Sequence, residues 1–193
     1  ADVADPDGPQ HLIDTTISHY GRLDVLVNNA GISRVLPAVD DDIEGFRHEI
    51  EVDLIAPYEL ARRAARWWIA NDHPGVVVNL GSVLGEGSGG RLRLPGYAAA
   101  KGGLHNLTRE LATQWARKGI RVNALAPAWF ETEMNSDTMF HDDAGIAYVE
   151  SGTPMGRGGM AHELDGALLL LASDAGSYMT GHVLLVDGGW TSV

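Results

Sequence analysis

The sequence contains no cysteine among its 193 residues. Disulfide bonds, thiolate nucleophiles and cysteine-ligated metal sites are therefore excluded. Basic residues are also scarce, because 14 lysines and arginines stand against 26 aspartates and glutamates, which gives a formal net charge of −12. This charge argues against a nucleic acid or an anionic membrane as the main partner, since both require a basic surface.

Long apolar runs are missing as well, and no stretch approaches the roughly 20 residues that span a bilayer. The first five residues are acidic and lack the basic and apolar regions of a signal peptide. The sequence therefore predicts a cytoplasmic protein. Its composition, with 45% hydrophobic and 21% charged residues, is typical of a folded domain, and its length suits a single one.

Short apolar runs alternate with longer amphipathic stretches along the chain. Four runs are typical of buried parallel strands, at residues 23–27, 76–80, 120–125 and 183–186. Helices are predicted over residues 9–20, 40–70 (with a bend near Pro57), 97–118 and 161–172. This alternation predicts an α/β fold, with a doubly wound, mostly parallel sheet and helices on both faces, as in a Rossmann-like domain.

A glycine-rich phosphate loop of the G-x-x-x-G-x-G or G-x-G-x-x-G type is lacking near the start of the sequence. The first clear strand follows a helix, and Asp2 and Val3 look like the end of an earlier strand. We therefore expect residues 1–193 to form one Rossmann-like domain whose first βαβ unit is absent from this chain.

Tyr97 and Lys101 stand four residues apart near the start of a predicted helix, so they share one face. Lowering the pKa of a tyrosine from about 10 to about 7 requires about 4 kcal/mol. A positive charge at about 4 Å supplies that much at an effective dielectric constant of about 20. We therefore expect Lys101 to make Tyr97 a general acid/base near neutral pH. Taken alone, the same spacing is also common on solvated helix faces.

Small or polar residues follow each of the four predicted strands, and ligands bind at the carboxyl ends of strands in open parallel sheets. Turn formation explains any one of these groups but accounts less well for all of them together. The groups are residues 28–31, Ser82, residues 127–132 and residues 187–189.

These motifs resemble those of the short-chain dehydrogenase/reductase family over nearly the whole chain. The resemblance implies an NAD(P)-dependent oxidoreductase that interconverts an alcohol and a carbonyl by hydride transfer, with NAD or NADP as cofactor. The matching motifs are Asn28-Asn29-Ala30-Gly31, Ser82, Tyr97-Ala98-Ala99-Ala100-Lys101-Gly102, Arg121-Val122-Asn123-Ala124, the turn at residues 127–132 and the ending at residues 181–189.

The resemblance implies that Tyr97 exchanges a proton with the substrate oxygen, that Ser82 polarises this oxygen, and that Lys101 lowers the Tyr97 pKa and binds the nicotinamide ribose. It also implies a small-molecule alcohol or carbonyl substrate and a homodimer or homotetramer. The residues it assigns to cofactor binding are Asp2, Val3, Asn29, Ala30, Gly31, Tyr97, Lys101, Pro127, Ala128, Trp129 and Thr132.

Asp53 stands where the family commonly has asparagine, and we count it among the catalytic residues. It can keep the backbone role of that asparagine while adding charge near Lys101, or it can serve only as a hydrogen-bonding residue at a helix bend. Residues 129–159 are expected to be an irregular substrate lid. Ser88 is a weaker candidate than Ser82, because it follows no strand. No metal site is expected, since no two histidines lie three or four residues apart.

Two other functions remain open at this point. A non-catalytic scaffold or binding protein is favoured by the missing glycine loop and disfavoured by the intact Ser82, Tyr97 and Lys101 set. An epimerase or dehydratase would use bound nicotinamide only transiently and would show no net change in its absorbance while product forms.

Overall fold

A single parallel sheet forms the centre of the computed structural model, which describes residues 1–132 and 140–193. Every neighbouring pair of strands in this part of the chain is parallel, so all of them end at the same edge of the sheet. The predicted parallel α/β fold is thus confirmed. In the order in which they lie side by side, the strands are β1 (Val25–Asn28), β2 (Gly75–Leu80), β3 (Ile120–Pro127) and β4 (Val183–Val186).

Helices connect the strands at nearly the predicted places. A π-helical turn, Glu51–Ile55, separates the second helix from the third, so the long stretch is irregular just before Pro57, where a bend was expected. The fourth helix ends in a short 3-10 turn and then at Gly119, whose φ of 71° favours glycine. The helices are α1 (Gly8–Tyr20), α2 (Ile43–Ile50), α3 (Ala56–Ala70), α4 (Pro95–Trp115), α5 (Asp143–Gly152) and α6 (Asp165–Ala172).

Both faces of the sheet are covered, which is the doubly wound arrangement. On one face Val77 of β2 packs into a cluster with Trp68 of α3 and Leu111 of α4. On the other face Val78 packs with Leu125 and with Leu171 of α6. Alternate residues of a strand point to opposite faces, and burial of each such side chain stabilises the fold by about 1.5–3 kcal/mol.

Two details differ from the sequence prediction. Asp2 and Val3 do not form a strand; Val3 lies in a turn and packs beside the cluster around Trp68. The predicted lid is not irregular throughout, because α5 forms inside it, where the Asp142 side chain accepts a hydrogen bond of 2.8 Å from the Gly145 N–H. Residues 133–139 of that lid lie outside the described residues.

Candidate active site

An open cleft of about 850 Å³ lies at the carboxyl ends of the strands. This volume falls within the range of small-molecule and cofactor sites, and the position is the one at which open α/β sheets bind ligands. Polar and small residues from three strand ends line it together with the start of α4. The lining includes Asn29, Ala30, Gly31, Ile32, Ser33, Ser82, Tyr97, Lys101, Pro127, Ala128, Phe130, Thr132 and Leu164.

Ser82 and Tyr97 are brought together by the end of β2 and the start of α4. Ser82 is buried, and its Oγ accepts a hydrogen bond of 3.1 Å from the Leu84 N–H. The Ser82 side chain also forms a hydrogen bond with Tyr97 that favours the phenolate form and so acts to lower the Tyr97 pKa. The hydroxyl groups of two residues that lie 15 positions apart in sequence are therefore neighbours in the cleft.

Lys101 projects from the next turn of α4 and is 4% exposed. Its Nζ donates a hydrogen bond of 2.9 Å to the Leu80 carbonyl and lies 5.2 Å from the centre of the Tyr97 ring. It also lies 3.4 Å from Oδ1 of Asp53, which is completely buried in the π-helical turn. The sequence expectation that Asp53 adds charge near Lys101 agrees with this geometry.

Burial acts against the charged form of every ionisable group in this cluster. It raises the pKa of Asp53, and the Lys101 charge and the Ile32 N–H, 3.2 Å from Asp53 Oδ1, only partly oppose the shift. Burial likewise lowers the pKa of Lys101, against the opposing charge of Asp53. The pair is therefore a desolvated ion pair, in which each partner is needed to keep the other charged.

The pKa of Tyr97 is raised to about 12, which is opposite to the shift expected from the sequence. Burial is the main cause; the Ser82 hydrogen bond opposes it, and the negative charge of Asp53 adds to it. Lys101 does not offset this shift: its Nζ lies 5.2 Å from the centre of the Tyr97 ring and contacts Asp53 and the Leu80 carbonyl. The pKa expected from the Lys101 charge alone is wrong, because desolvation and the counter-ion Asp53 both act in the opposite direction.

A chain of buried amides fixes the strand ends that frame the cleft. The Asn28 side chain donates to Asn79 Oδ1 at 2.8 Å, and Asn79 donates to Thr108 Oγ1 at 2.9 Å. These bonds tie β1 to β2 and β2 to α4. Neither Asn79 nor Thr108 was predicted as a site residue, although an asparagine inside an otherwise apolar buried strand is a visible signal.

Buried His105 was missed in the same way, because the histidines were considered only as metal ligands. Its Nδ1 lies 2.9 Å from Glu86 Oε1, and the Ser82 N–H donates to its Nε2 at 3.4 Å. His105 follows Lys101 by four residues, so helical spacing alone places it on the face that carries Tyr97.

Most of the residues predicted to bind cofactor line the cleft, but three lie elsewhere. Trp129 is buried in an aromatic cluster with Tyr148 and Trp190, at ring-centre distances of 6.1 and 5.0 Å. Val3 lines an adjoining, mostly apolar cavity beside β1, which shares Asn29 and Ala30 with the cleft. Asp2 is exposed, and its carboxylate accepts a hydrogen bond from the Ala4 N–H.

The lining of the cleft suits a dinucleotide, because it combines small residues, polar side chains and the ammonium group of Lys101. At Gly31 a Cβ would lie 2.6 Å from Asp53 Oδ1, so the chain passes directly over the Asp53–Lys101 pair. Glycine permits that approach, and Lys101, although buried, lines the cleft beside residues 29–31. In the part of the chain that the structure describes, no three histidine, aspartate or glutamate side chains are grouped so as to hold a metal ion, and no helix is long and apolar enough to cross a membrane.

Comparison with known proteins gives matches over most or nearly all of the chain. The family model described as enoyl-(acyl carrier protein) reductase matches residues 1–191. The 2-dehydro-3-deoxy-D-gluconate 5-dehydrogenase of Escherichia coli (strain K12) is 33% identical over 190 residues, which are 98% of this chain and 74% of the relative. The galactitol 2-dehydrogenase (L-tagatose-forming) of Cereibacter sphaeroides is 40% identical over 167 residues, covering 86% of this chain and 65% of that protein.

Solved structures give the same result. The crystal structure of a gluconate 5-dehydrogenase from Burkholderia cenocepacia J2315, in complex with NADP and tartrate, superposes with a TM-score of 0.93. It is 37% identical, and the match covers 100% of this chain and 74% of that one. Similarity in sequence and similarity in fold thus both relate this chain to dehydrogenases.

Proposed function

Since the chain belongs to the short-chain dehydrogenase/reductase family and is an NAD(P)-dependent oxidoreductase that interconverts an alcohol and a carbonyl, we propose that Tyr97 is its general acid/base. The observation that carries this role is the contact between the Tyr97 oxygen and the Ser82 hydroxyl, beside the cleft and one helical turn from Lys101. When substrate binds, Ser82 turns its single hydroxyl hydrogen from Tyr97 to the substrate oxygen. No second general acid/base is required for this assignment.

In the reducing direction Tyr97 donates its proton to the developing alkoxide. A phenol with a raised pKa is fully protonated at neutral pH, so it is ready to act as this acid. In the oxidising direction Tyr97 must first lose that proton, which the raised pKa opposes. When bound, the nicotinamide accepts or supplies the hydride, and in its oxidised form it brings positive charge to the cleft.

Cofactor binding is assigned to cleft residues of this chain. Asn29, Ala30 and Gly31 line the part of the cleft nearest Lys101, whose Nζ has a third hydrogen that can be donated to the ribose hydroxyls. Pro127, Ala128 and Thr132 complete the opposite wall. The solved relative contains NADP, so we propose that either NAD or NADP binds and that NADP is the first to test.

A small hydroxylated substrate is proposed from the names of the relatives. One of them acts on galactitol and others on gluconate derivatives, so a polyol or a sugar acid is the class to try first. The segment of residues 129–159 is proposed as the lid over this substrate, because Phe130 and Thr132 line the cleft. A cytoplasmic location is also part of this proposal.

The decisive experiment is the Tyr97→Phe variant, which removes only the phenolic hydroxyl. Oxidation of galactitol and of gluconate is followed with NAD⁺ and with NADP⁺ by the absorbance of the reduced nicotinamide. We expect turnover to fall by about 10²–10⁴-fold, the usual contribution of a general acid/base, while the dissociation constant of the cofactor stays the same. Full activity in the variant removes Tyr97 from the mechanism.

A homodimer or homotetramer is proposed from the exposed apolar residues of α3. Tyr58 is 39% exposed and Ile69 is 44% exposed on that helix, and Ile55, just before it, is 40% exposed. Burying such side chains against a second copy is favourable. Light scattering should give a mass of two or four chains, and a concentration-independent monomer contradicts the proposal.

A further inference from the structure

His105 fills the space directly behind Ser82. Its ring is 1% exposed and packs against the backbone of Gly81 and Gly85, so closely that a Cβ on either glycine would collide with the imidazole. The Ser82 N–H donates to Nε2 of His105 at 3.4 Å. The backbone of the serine is therefore held by a side chain of the same helix that carries Tyr97.

Glu86 completes the arrangement on the other side of the ring. Its Oε1 lies 2.9 Å from His105 Nδ1, and Arg109 Nη2 lies 3.6 Å from the same oxygen. A backbone N–H is always a donor, so Nε2 must be the unprotonated acceptor, and Nδ1 must carry the hydrogen that it donates to Glu86. One ring nitrogen thus donates to the Glu86 carboxylate, and the other accepts from the Ser82 backbone N–H.

From this geometry we propose that His105, oriented by Glu86, is a positioning residue that holds Ser82 against Tyr97 during the oxidoreductase reaction. The inference rests on the proposed function of Ser82 and Tyr97. His105 itself touches no reacting atom: it acts through the serine, whose hydroxyl must reach the substrate oxygen and the Tyr97 oxygen from one fixed backbone position.

Protonation of His105 should release Ser82. A charged imidazole has hydrogen on both nitrogens, so Nε2 would oppose the Ser82 N–H instead of accepting from it. Burial lowers the pKa of His105; the charge of Glu86 opposes this shift, whereas Arg109 and Lys101 on α4 add to it. The contact is therefore present at neutral pH and is lost only as the pH falls through this lowered pKa, which places a loss of kcat on the acid side.

Four variants of the protein test this role with the cofactor and substrate that the Tyr97→Phe assay identifies. His105→Leu removes both hydrogen bonds, and we expect kcat to fall by about 10²-fold, as for a misplaced catalytic group, with KM nearly unchanged. His105→Gln keeps an acceptor for the Ser82 N–H and should recover most of that loss. Glu86→Gln removes the charge that raises the His105 pKa, so the acid limb of kcat should move to lower pH. Arg109→Gln should move it to higher pH.

A purely structural role would not move the acid limb in opposite directions, so the last two variants decide even if His105→Leu fails to fold. Thr180→Val serves as the matched control, because Thr180 Oγ1 accepts a hydrogen bond of 3.1 Å from the Val122 N–H, and it lies at the end of the sheet opposite the cleft. This variant also removes a side-chain acceptor from a backbone N–H, but it does not touch Ser82, so kcat should stay unchanged. The proposal is overturned if the two charge variants leave the acid limb in place, or if His105→Leu keeps the wild-type kcat.

The tautomer of His105 can be determined by NMR without any substrate. Nitrogen chemical shifts of ¹⁵N-labelled histidine should show His105 protonated at Nδ1 and not at Nε2 at neutral pH, and the reverse overturns the proposal. An active Tyr97→Phe variant would refute the proposed function itself. An inactive Tyr97→Phe beside a fully active His105→Leu would refute only the positioning role.

Discussion

Asp53 gives the active site a negative charge that an asparagine would not supply. Its carboxylate is completely buried and lies 3.4 Å from Lys101 Nζ. Such a pair gains little net stability, since the desolvation of both ions offsets their attraction. Its effect on the reaction is larger, because the same charge makes the ionisation of Tyr97 harder.

We predict that Asp53→Asn lowers the pKa of Tyr97 from its value of about 12. The variant removes the negative charge that disfavours the phenolate and keeps an oxygen that can accept from the Ile32 N–H. The pH profile of kcat/KM for alcohol oxidation reports groups of the free enzyme, so its basic rise should move to lower pH. The maximal rate should stay within about tenfold, or about 1.4 kcal/mol. A rise that moves to higher pH or stays in place contradicts this account.

At the scale of elements, helix α4 lies against strand β3, and one small residue allows helix α3 to lie against strand β2. The indole of Trp68 on α3 lies over Gly75 at the start of β2, where a Cβ would collide with it. Trp68 is fully buried, and its Nε1 donates a hydrogen bond of 2.7 Å to the Leu23 carbonyl. The ring is therefore held on two sides and cannot move away easily.

Gly75→Ala is expected to destabilise the fold by about 1–3 kcal/mol, the usual result of overpacking a core. Urea denaturation measures the change. The matched control is Gly87→Ala in the exposed loop after Ser82, where a Cβ meets nothing within 4 Å, so its effect should stay within about 0.5 kcal/mol. Equal stability of the two variants would show that the Trp68 contact relaxes without loss.

How much of these elements the sequence predicts depends on where their stability comes from. Strand β2 was predicted from its run of three valines, a local signal. Helix α5 was missed because it contains Gly145 and ends at Gly152, both poor helix formers. It is stabilised by distant contacts instead, since Val149 and Tyr148 pack against Trp129. No local pattern reports those contacts.

In the candidate site, too, local features were predictable from the sequence and long-range ones were not. The spacing of Tyr97 and Lys101 follows from helix geometry, so their common face was predictable. The raised pKa of Tyr97 was not, because it depends on burial and on Asp53, which reaches the pair through the π-helical turn. Sequence thus identified the chemical groups, and only the three-dimensional arrangement gave their electrostatics.

For the whole molecule, the net charge of −12 opposes the approach of an anionic dinucleotide. The buried ammonium of Lys101 is the one cation among the described residues that line the cleft. The free energy that cofactor binding gains from contacts with Lys101 must therefore exceed what it loses to repulsion by the net negative charge of the protein. Added salt should reduce the long-range repulsion without removing a buried contact.

Binding of NADPH should raise the melting temperature of the whole domain, because a ligand that binds only the folded state stabilises it by mass action. At about 100 times the dissociation constant the gain is about 2.7 kcal/mol, which corresponds to a shift of roughly 5–10 °C for a chain of this size. Lys101→Ala should lose most of this shift as well as turnover. Lys118→Ala removes the same charge from the exposed end of α4 and should keep it. If both variants keep the shift in melting temperature, Lys101 contacts Asp53 and the Leu80 carbonyl but does not bind the cofactor. If both variants lose it, cofactor binding depends on the overall charge of the protein rather than on the cleft.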